Sequence, residues 1–216
     1  MEILTPFGPL TEDKGHDMLR FIEKMARISH RSEDLQTEDS WKRFVQNVVL
    51  DHGDWSVVEH ASVTAIVRLS RGITHELVRH RLFSYTQEST RFVNYTKHKT
   101  ATAEILKPAD LKPENEQLWD DTVAACRHAY DILIRNGEKP QTARGILPID
   151  TAATISMTGN LRAWRWFFLA RTTKESHTDM RAFTIPMLTE FKRCIPILFD
   201  DIEPNARQID NAKKAH

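Results

Sequence analysis

The sequence predicts a single α+β domain, because patterns typical of helices are numerous and patterns typical of strands are few. Alternating hydrophobicity marks strands at about 57–69 and 153–157, and apolar residues recur at helical spacing in several other segments. A chain of 216 residues, 40% hydrophobic and 28% charged, suits one domain with a substantial core. We expect this domain over 1–202, followed by a polar tail over 203–216.

Two amphipathic helices are predicted before the first strand. One covers about 15–29, and the other covers about 41–49 and closes near Gly53. The apolar positions of the first helix are Met18, Phe21, Ile22, Met25 and Ile28. From Val57 the period changes to two, which predicts a strand. Its apolar face consists of Val63, Ala65, Val67 and Leu69.

The middle of the chain predicts two further helices and a long connection. Gly72 ends the strand, and 73–81 is expected to be a helix. A surface excursion is predicted over 96–113, and 114–136 has the clearest helical pattern, with Gly137 as its stop. The apolar face of that helix consists of Leu118, Ala125, Cys126, Ala129 and Leu133.

A second strand and two helices complete the predicted domain. The strand around 153–157 is expected to end in a turn at 158–160. A helix then carries Trp164, Phe167, Phe168 and Arg171 on one face. The last helix, about 180–195, contains Pro186 and should be kinked there.

Composition excludes several classes of function. Lysine and arginine total 30, as do aspartate and glutamate, so the chain lacks the basic excess of a general nucleic-acid binder. The longest apolar run, 166–170, is too short to cross a bilayer, and the first residues lack the pattern of a signal peptide. Two cysteines argue against a disulfide framework. We therefore expect a cytoplasmic protein with neither nucleic-acid nor membrane partners.

Candidate chemistry is concentrated in 74–91, which contains three arginines, two histidines, a glutamine and several hydroxyl side chains. Arginine matches phosphate bidentately and amides match base edges, so this mixture suits a nucleotide. A solvated helix end with ion pairs is the alternative for any basic cluster. His75 and His80 are five residues apart, whereas the zinc motif H-E-x-x-H needs four, so the spacing does not fit a zinc site.

The motif Arg79-His80-Arg81, seven residues and then Ser89 is similar to the signature R-H-R-x7-S of flavin-dependent thymidylate synthases, the ThyX family. Segments in the same order resemble further family blocks: Ala-Arg-Ile-Ser at 26–29, His-Gly and Glu-His within 52–60, Ala-Arg-Gly-Ile-Leu-Pro at 143–148, and Asn-Leu-Arg from 160 leading to Arg171 and His177. The resemblance covers roughly 26–195.

This resemblance implies a ThyX-like mixed α/β fold, a small and mostly antiparallel sheet flanked by helices. It also implies a homotetramer whose active sites are shared between subunits. The implied reaction methylates dUMP to dTMP, with 5,10-methylenetetrahydrofolate as the carbon donor and FAD reduced by NADPH as the hydride source. No cysteine nucleophile is needed, and Cys126 and Cys194 are interpreted as structural.

The matched positions imply specific contacts. Expected FAD-binding residues are Ser62, Arg79, His80, Arg81, Gln87, Asn160, Arg162, Trp166 and His177. Expected dUMP-binding residues are Glu76, Arg79, Gln87, Glu88, Ser89, Thr90, Arg91, Arg144 and Arg171. Arg171 is expected to be the catalytic residue, stabilising the negative charge that arises when uracil N3 ionises. His60 is a further folate-side or flavin-side candidate.

Some positions depart from the family pattern and leave alternatives open. Trp166 stands where relatives usually have a polar or histidine side chain, and Ala170 replaces a leucine. A protein that binds FAD and nucleotide without turnover is therefore one alternative. A nucleic-acid-binding module built on 79–91 and a different nucleotide-modifying flavoenzyme are the others. Ser89 is interpreted as a ligand contact, because no base beside it could activate it as a nucleophile.

Overall fold

A five-stranded sheet organises the computed structural model, which describes residues 1–97 and 102–207. The strands are β1 (Glu2–Thr5), β2 (Gly8–Pro9), β3 (Ser62–Ser70), β4 (Ser84–Gln87) and β5 (Ala152–Asn160). Their order in the sheet is β2-β1-β3-β5-β4. The central pair is antiparallel: the Arg71 amide donates to the Thr151 carbonyl at 3.0 Å, and the Leu161 amide donates to the Ala61 carbonyl at 3.0 Å.

Helices make up most of the remaining structure. They are α1 (Glu12–Arg27), α2 (Ser40–Phe44), α3 (Arg71–Leu77), α4 (Glu116–Arg135), α5 (Pro140–Ala143), α6 (Leu161–Arg171) and α7 (Thr178–Cys194). Short 3-10 helices cover Ile28–His30, Glu33–Leu35, Trp55–His60, Tyr95–Lys97, Pro113–Asn115 and Arg144–Ile146, and a π-helix covers Val45–Asp51. Among the described residues, no helix is both long enough and apolar enough to span a membrane.

The chain divides into two compact units. The first unit comprises Met1, 66–80 and 85–156, and the second comprises 2–65, 81–84 and the chain from 157 onward. Strands β3 and β5 contribute residues to both. The expected single domain over 1–202 and the polar tail stay predictions, and 208–216 lie outside the described residues.

Helix α4 and the segment before it supply the core of the first unit. Tyr95, Ala103, Tyr130 and Ala143 are buried together. Gly137, at φ +93°, ends α4 as predicted. The predicted apolar face is wrong in part, because Leu118 is 69% exposed while Val123 and Tyr130 face the core.

The excursion predicted over 96–113 is also wrong in part. Ala103 and Ile105 are buried, and Ile105 forms a β-bridge with Thr151, so this part of the segment returns to the sheet. Residues 98–101 lie outside the described part of the chain. A bridge to a residue so distant in sequence leaves no local periodicity to detect.

The core of the second unit is aromatic. Trp164, Phe167 and Phe168, which were predicted to share one face of α6, are all fully buried. The Trp164 and Phe168 rings pack against Phe191 with centroids 5.0 and 4.9 Å apart, and the Phe168 ring packs against Phe199 at 5.9 Å. The indole Nε1 of Trp164 donates to the Val63 carbonyl at 2.9 Å. These contacts fix α6 against β3.

Helix α1 is present, but its predicted buried face is wrong in part. Phe21 and Ile28 are 44% and 54% exposed, whereas Leu19, Ile22 and Glu23 are fully buried. Glu23 can be buried because its carboxylate accepts bonds from Arg27, at 2.7 and 2.9 Å, and from the Ser40 hydroxyl at 2.9 Å. A hydrophobicity pattern cannot anticipate a buried carboxylate.

Three predicted boundaries are also wrong. The strand predicted from Val57 begins at Ser62, since 55–60 forms a 3-10 helix that buries Val58. No turn interrupts 158–160: β5 runs to Asn160, whose side-chain oxygen accepts the Ala163 amide at 2.8 Å and so caps α6. The helix predicted over 73–81 ends at Leu77.

Candidate functional site

The basic motif at 79–81 lies in the loop after α3. The predicted helical placement of these residues is therefore wrong, and angles around a helix do not govern them. The Tyr85 hydroxyl donates to the carbonyls of Leu77, at 2.6 Å, and His80, at 3.0 Å, within the first unit. The loop thus has a fixed start, and Arg79 is exposed beside half-buried His80.

A tight turn follows β4 in the first unit. The Ser89 hydroxyl accepts the Arg91 amide at 3.3 Å, and the Ser89 carbonyl accepts the amides of Phe92 and Val93 at 3.1 and 3.0 Å. Before the turn, the Gln87 amide donates to the Thr74 hydroxyl at 2.8 Å. The arrangement holds polar side chains at the end of a strand, where ligand contacts commonly occur.

Glu88 supports this turn through its carboxylate. It accepts bonds from the Thr154 amide at 3.3 Å, from Arg68 at 3.4 Å and from the Tyr95 hydroxyl at 3.3 Å. Burial, together with the charge of Glu88, raises the pKa of Tyr95 to about 12. Burial alone would lower the pKa of Arg68, but its bonds to Glu104 and Glu88 outweigh that effect and raise it.

The turn and α3 border a cavity of about 320 Å³ in the first unit, which we call the arginine pocket. It is lined by Arg71, His75, Thr90, Arg144, Gly145, Leu147, Pro148, Ile149 and Thr151. Thr90 is 4% exposed, and its hydroxyl accepts a bond from Arg144 at 3.0 Å. Two guanidinium groups and an imidazole beside one cavity favour an anionic ligand.

The sequence predicted two of the nine residues that line the arginine pocket, and the basic pair on α3 is among those it did not predict. Thr90 and Arg144 were expected to share a site, and both line it. Arg71 and His75 were not anticipated. They lie four residues apart on α3, so a helix beginning at Arg71 would have placed them on one face.

A second cavity of about 530 Å³ lies in the second unit, and we call it the aromatic pocket. It is lined by Trp55, Glu59, Leu82, Asn160, Arg162, Ala163, Arg165, Trp166 and Leu169. Arg162, Trp166 and Leu169 follow helical spacing on α6. Trp166 is 53% exposed, in contrast to its aromatic neighbours on the same helix.

Charged groups surround the aromatic pocket. Arg165 is 4% exposed and donates to both carboxylate oxygens of Asp201, at 2.7 and 2.6 Å, and to the Leu198 carbonyl at 2.7 Å. Its guanidinium carbon lies 4.7 Å from the centroid of the Trp55 ring. Arg162 forms an exposed ion pair with Glu59 at 2.6 Å. The pocket therefore combines aromatic walls with a polar rim.

Comparison with known proteins decides the family. The family profile described as "Thymidylate synthase complementing protein" matches residues 12–197. A flavin-dependent thymidylate synthase of Corynebacterium aurimucosum is 37% identical over 172 residues, covering 71% of this chain and 67% of the relative. The chain belongs to the flavin-dependent thymidylate synthase family. The R-H-R motif predicted membership of this family, and that prediction is confirmed. The prediction that the chain is an enzyme of this class is confirmed as well.

Other relatives agree with this assignment. The flavin-dependent thymidylate synthase of Corynebacterium diphtheriae is 35% identical and covers 72% of this chain and 67% of the relative. ThyX from Helicobacter pylori, solved with FAD and dUMP, has a TM-score of 0.72 at 19% identity, covering 94% of this chain and 99% of that chain. The UMP/dUMP methylase PolB of Streptomyces cacaoi, bound with 5-Br dUMP, has a TM-score of 0.68 at 23% identity, covering 84% and 88%. The predicted α+β fold is confirmed.

Several expected contacts of this family lie elsewhere in the second unit. Ser62 and His60 border a third cavity, of about 450 Å³, together with exposed Phe7 and Phe21. His177 caps α7 by accepting the Asp179 amide on Nδ1 at 3.1 Å, so Nδ1 is the unprotonated nitrogen while this bond holds. Arg81 is exposed.

Arg171 ends α6 and is half-buried. Its carbonyl accepts the Thr184 hydroxyl at 3.0 Å, which ties this last turn to α7. Arg171 is not among the residues that line the three cavities described above. Its expected catalytic role stays a prediction.

The two cysteines differ in their surroundings. Cys194 is buried, and this burial raises the pKa of its thiol, which disfavours the nucleophilic thiolate. Cys126 is half-buried on α4. Within residues 1–97 and 102–207, no three His, Cys, Asp or Glu side chains cluster in a way that could hold a metal ion.

Proposed function

We propose that this chain methylates dUMP to dTMP, with 5,10-methylenetetrahydrofolate as the carbon donor and with bound FAD, reduced by NADPH, supplying the hydride that completes the methyl group. The observation that carries the proposal is the arginine pocket, because its basic groups adjoin the polar turn at 87–91 that bears the family motif. The names of the relatives support the same chemistry.

The phosphate of dUMP is proposed to bind in the arginine pocket. Arg144 is exposed but oriented by its bond to Thr90, and Arg71 is oriented by a bond to the Glu88 carbonyl at 3.4 Å. Hydrogen bonds to charged groups contribute about 1.5–3 kcal/mol each, so two such arginines supply about 3–6 of the roughly 8 kcal/mol that micromolar binding needs, and further contacts must supply the rest. Those further contacts are proposed to come from Glu76, Arg79, Gln87, Ser89 and Arg91.

Glu88 is proposed to act on the substrate indirectly. Its carboxylate already accepts bonds from a main-chain amide, an arginine and a tyrosine hydroxyl. Its carbonyl accepts a bond from Arg71. Glu88 therefore orients the basic groups around the nucleotide while its own negative charge is neutralised by Arg68.

Arg171 is proposed to be the catalytic residue. A fixed guanidinium at the uracil edge would stabilise the negative charge that develops on the ring, without any covalent bond to the enzyme. No cysteine nucleophile is required in this scheme, in accordance with the burial and raised pKa of Cys194.

FAD is proposed to occupy the aromatic pocket, whose composition fits a flavin: apolar and aromatic walls with arginine and amide groups at the rim. Proposed contacts are Ser62, Arg79, His80, Arg81, Gln87, Asn160, Arg162, Trp166 and His177. Asn160 uses its amide oxygen to cap α6, which leaves its amide nitrogen to donate to the cofactor. Residues from more than one subunit of a cytoplasmic homotetramer are proposed to complete each site.

An anaerobic absorption spectrum tests the overall reaction. We expect NADPH to bleach the flavin bands of the FAD-loaded protein, and the bands to return only when dUMP and methylenetetrahydrofolate are both present. If the bleached bands do not return when both substrates are added, the protein binds FAD and nucleotide without turnover. Recovery with another nucleotide would point to a different flavoenzyme.

Calorimetric titration with dUMP tests the arginine pocket itself. We expect Arg144→Gln to weaken binding by about 10-fold to 100-fold, since one charge-assisted bond is lost. Arg135→Gln is the matched control, because Arg135 is an exposed arginine of the same unit that lies on α4 and lines none of these cavities. Equal affinities for the two variants would contradict the phosphate site.

A further inference from the structure

The exposed indole of Trp166 needs an explanation, because the other aromatic residues of its helix are buried. Trp164, Phe167 and Phe168 have no exposed surface, while Trp166 is 53% exposed. It borders the aromatic pocket together with exposed Leu82. Large aromatic surface at the edge of a cavity is typical of ligand sites.

A second indole lines the same cavity from a different element. Trp55 begins the 3-10 helix Trp55–His60, within the second unit. The guanidinium of Arg165 lies over its ring at 4.7 Å. Arg165 is itself held by three hydrogen bonds, two to Asp201 and one to the Leu198 carbonyl. Trp55 is therefore a pre-oriented wall, since its cationic neighbour has little freedom to move.

The rim of the pocket offers the polar partners that a heterocycle requires. Arg162 and Glu59 form an exposed pair at 2.6 Å, and Asn160 lines the same cavity. A volume of about 530 Å³ is within the range of small-molecule pockets. Aromatic faces bind any flat π-system, whereas amide and guanidinium groups read the nitrogen and oxygen atoms at its edge.

From these contacts we propose that Trp55 and Trp166 are ring-binding residues, which stack against a planar heteroaromatic ring that bonds to the polar rim. The inference rests on the proposed function for the source of the ring, which is the bound FAD. Isoalloxazine and adenine share this chemistry, and the experiment separates them. Arg165 and Asp201 act as positioning residues through Trp55.

The test uses the FAD-free full-length chain and measures binding by calorimetry and by quenching of tryptophan fluorescence. FAD, riboflavin and AMP are titrated separately, because riboflavin carries only the isoalloxazine ring and AMP only adenine. We expect Trp55→Leu and Trp166→Leu each to weaken FAD binding about 5-fold to 50-fold, in line with the loss of one stacking contact. The same loss should appear with whichever of riboflavin and AMP carries the stacked ring.

Matched variants separate stacking from general disruption. Trp55→Phe and Trp166→Phe keep an aromatic face and should retain most of the affinity. Leu118→Ala removes an exposed apolar side chain of α4, away from the pocket, and should change nothing. Thermal unfolding of each variant checks the fold. Leucine variants that fold and bind all three ligands as tightly as the parent overturn the inference, and an effect of Trp166 without Trp55 overturns the role of Trp55.

The positioning role of Arg165 is tested by a separate measurement. We expect Asp201→Asn to weaken ring binding, although Asp201 does not line the cavity. It should also increase the access of acrylamide to Trp55 fluorescence in a background with Trp119→Phe and Trp166→Phe, where the other two tryptophans, Trp41 and Trp164, are buried. Unchanged acrylamide access would overturn the positioning role. Ring binding needs no turnover, so ring binding by a protein that does not methylate dUMP would sink the proposed reaction and leave this inference standing.

Discussion

Interatomic distances around Gly159 predict whether replacing it with alanine stabilises or destabilises the protein. A Cβ at this position of β5 would lie 2.5 Å from Cε1 and 2.6 Å from Cδ1 of Phe83. Reaching an ordinary contact of 3.4 Å requires a shift of 3.4 − 2.5, about 0.9 Å. The Phe83 ring is 8% exposed and packs edge-on against Trp164, at 4.8 Å, and Phe167, at 5.9 Å, so it has little room to move.

The expected cost of Gly159→Ala follows from two opposing terms. Overpacking a buried site costs about 1–3 kcal/mol, and replacing a strand glycine returns about 0.5–1 kcal/mol. The difference between the two terms is about 0–2.5 kcal/mol, and the confined Phe83 ring places the expected cost in the upper part of that range, about 1–2.5 kcal/mol. Such a destabilisation should lower Tm by about 2–10 °C in a chain of this size. Binding of riboflavin or AMP should also weaken, because Leu82, the chain neighbour of Phe83, lines the aromatic pocket.

Thermal unfolding of the parent and four variants tests this reasoning: Gly159→Ala, Gly145→Ala, Phe83→Leu and the double variant. Gly145→Ala is the control, since no atom lies within 4 Å of a Cβ placed there, and its Tm should hold or rise slightly. Phe83→Leu in the Gly159→Ala background should cost less than the sum of the single changes, because the smaller side chain relieves the clash. A parent-like Tm for Gly159→Ala, or strict additivity in the double variant, would refute the packing argument.

Three further predictions concern chemistry. Arg171→Ala should lower turnover about 100-fold to 1,000-fold and leave FAD content intact, and equal loss of both would remove its catalytic role. Cys126→Ala and Cys194→Ala should keep turnover in the folded protein, and an inactive folded variant would revive a cysteine nucleophile. In an absorbance titration Tyr95 should ionise near pH 12, above the ordinary 10, and Tyr95→Phe should remove that step. Because the pKa of Tyr95 is higher in the folded than in the unfolded chain, neutral Tyr95 contributes to the free energy of unfolding. This contribution is fully present below pH 10 and is lost as the pH rises toward 12.

Hydrophobic periodicity in the sequence predicted the elements that bury one regular face, such as β3 and α6. Val63, Ala65 and Val67 alternate along β3 and are buried, as a period of two requires. The buried face of α6 followed from helical spacing in the same way. Strands β1, β2 and β4 escaped prediction because none exceeds four residues, and their pairing depends on partners distant in sequence.

Residues of the candidate site could be predicted only where they belong to a family motif. Arg144 and Thr90 are 54 residues apart, and only the family resemblance joined them before the structure did. Arg71 and His75 have no counterpart in the motif, and their placement depends on α3 beginning at Arg71. Ser70 caps this helix, since its hydroxyl accepts the Ile73 amide at 3.3 Å. Capping of so short a helix is a weak signal in sequence.

Trp166 stood out in the sequence, but its surroundings became known only from the structure. As a departure from the family pattern it raised the alternative of a protein without turnover. In the structure it is the exposed aromatic of α6, beside a cavity whose other indole is held by Arg165 and Asp201. Residues 55, 165 and 201 come from three separate segments, so no periodicity could have joined them. A substitution that adds stacking surface to a pocket already lined by an oriented indole is better explained by a changed mode of ring binding than by lost activity.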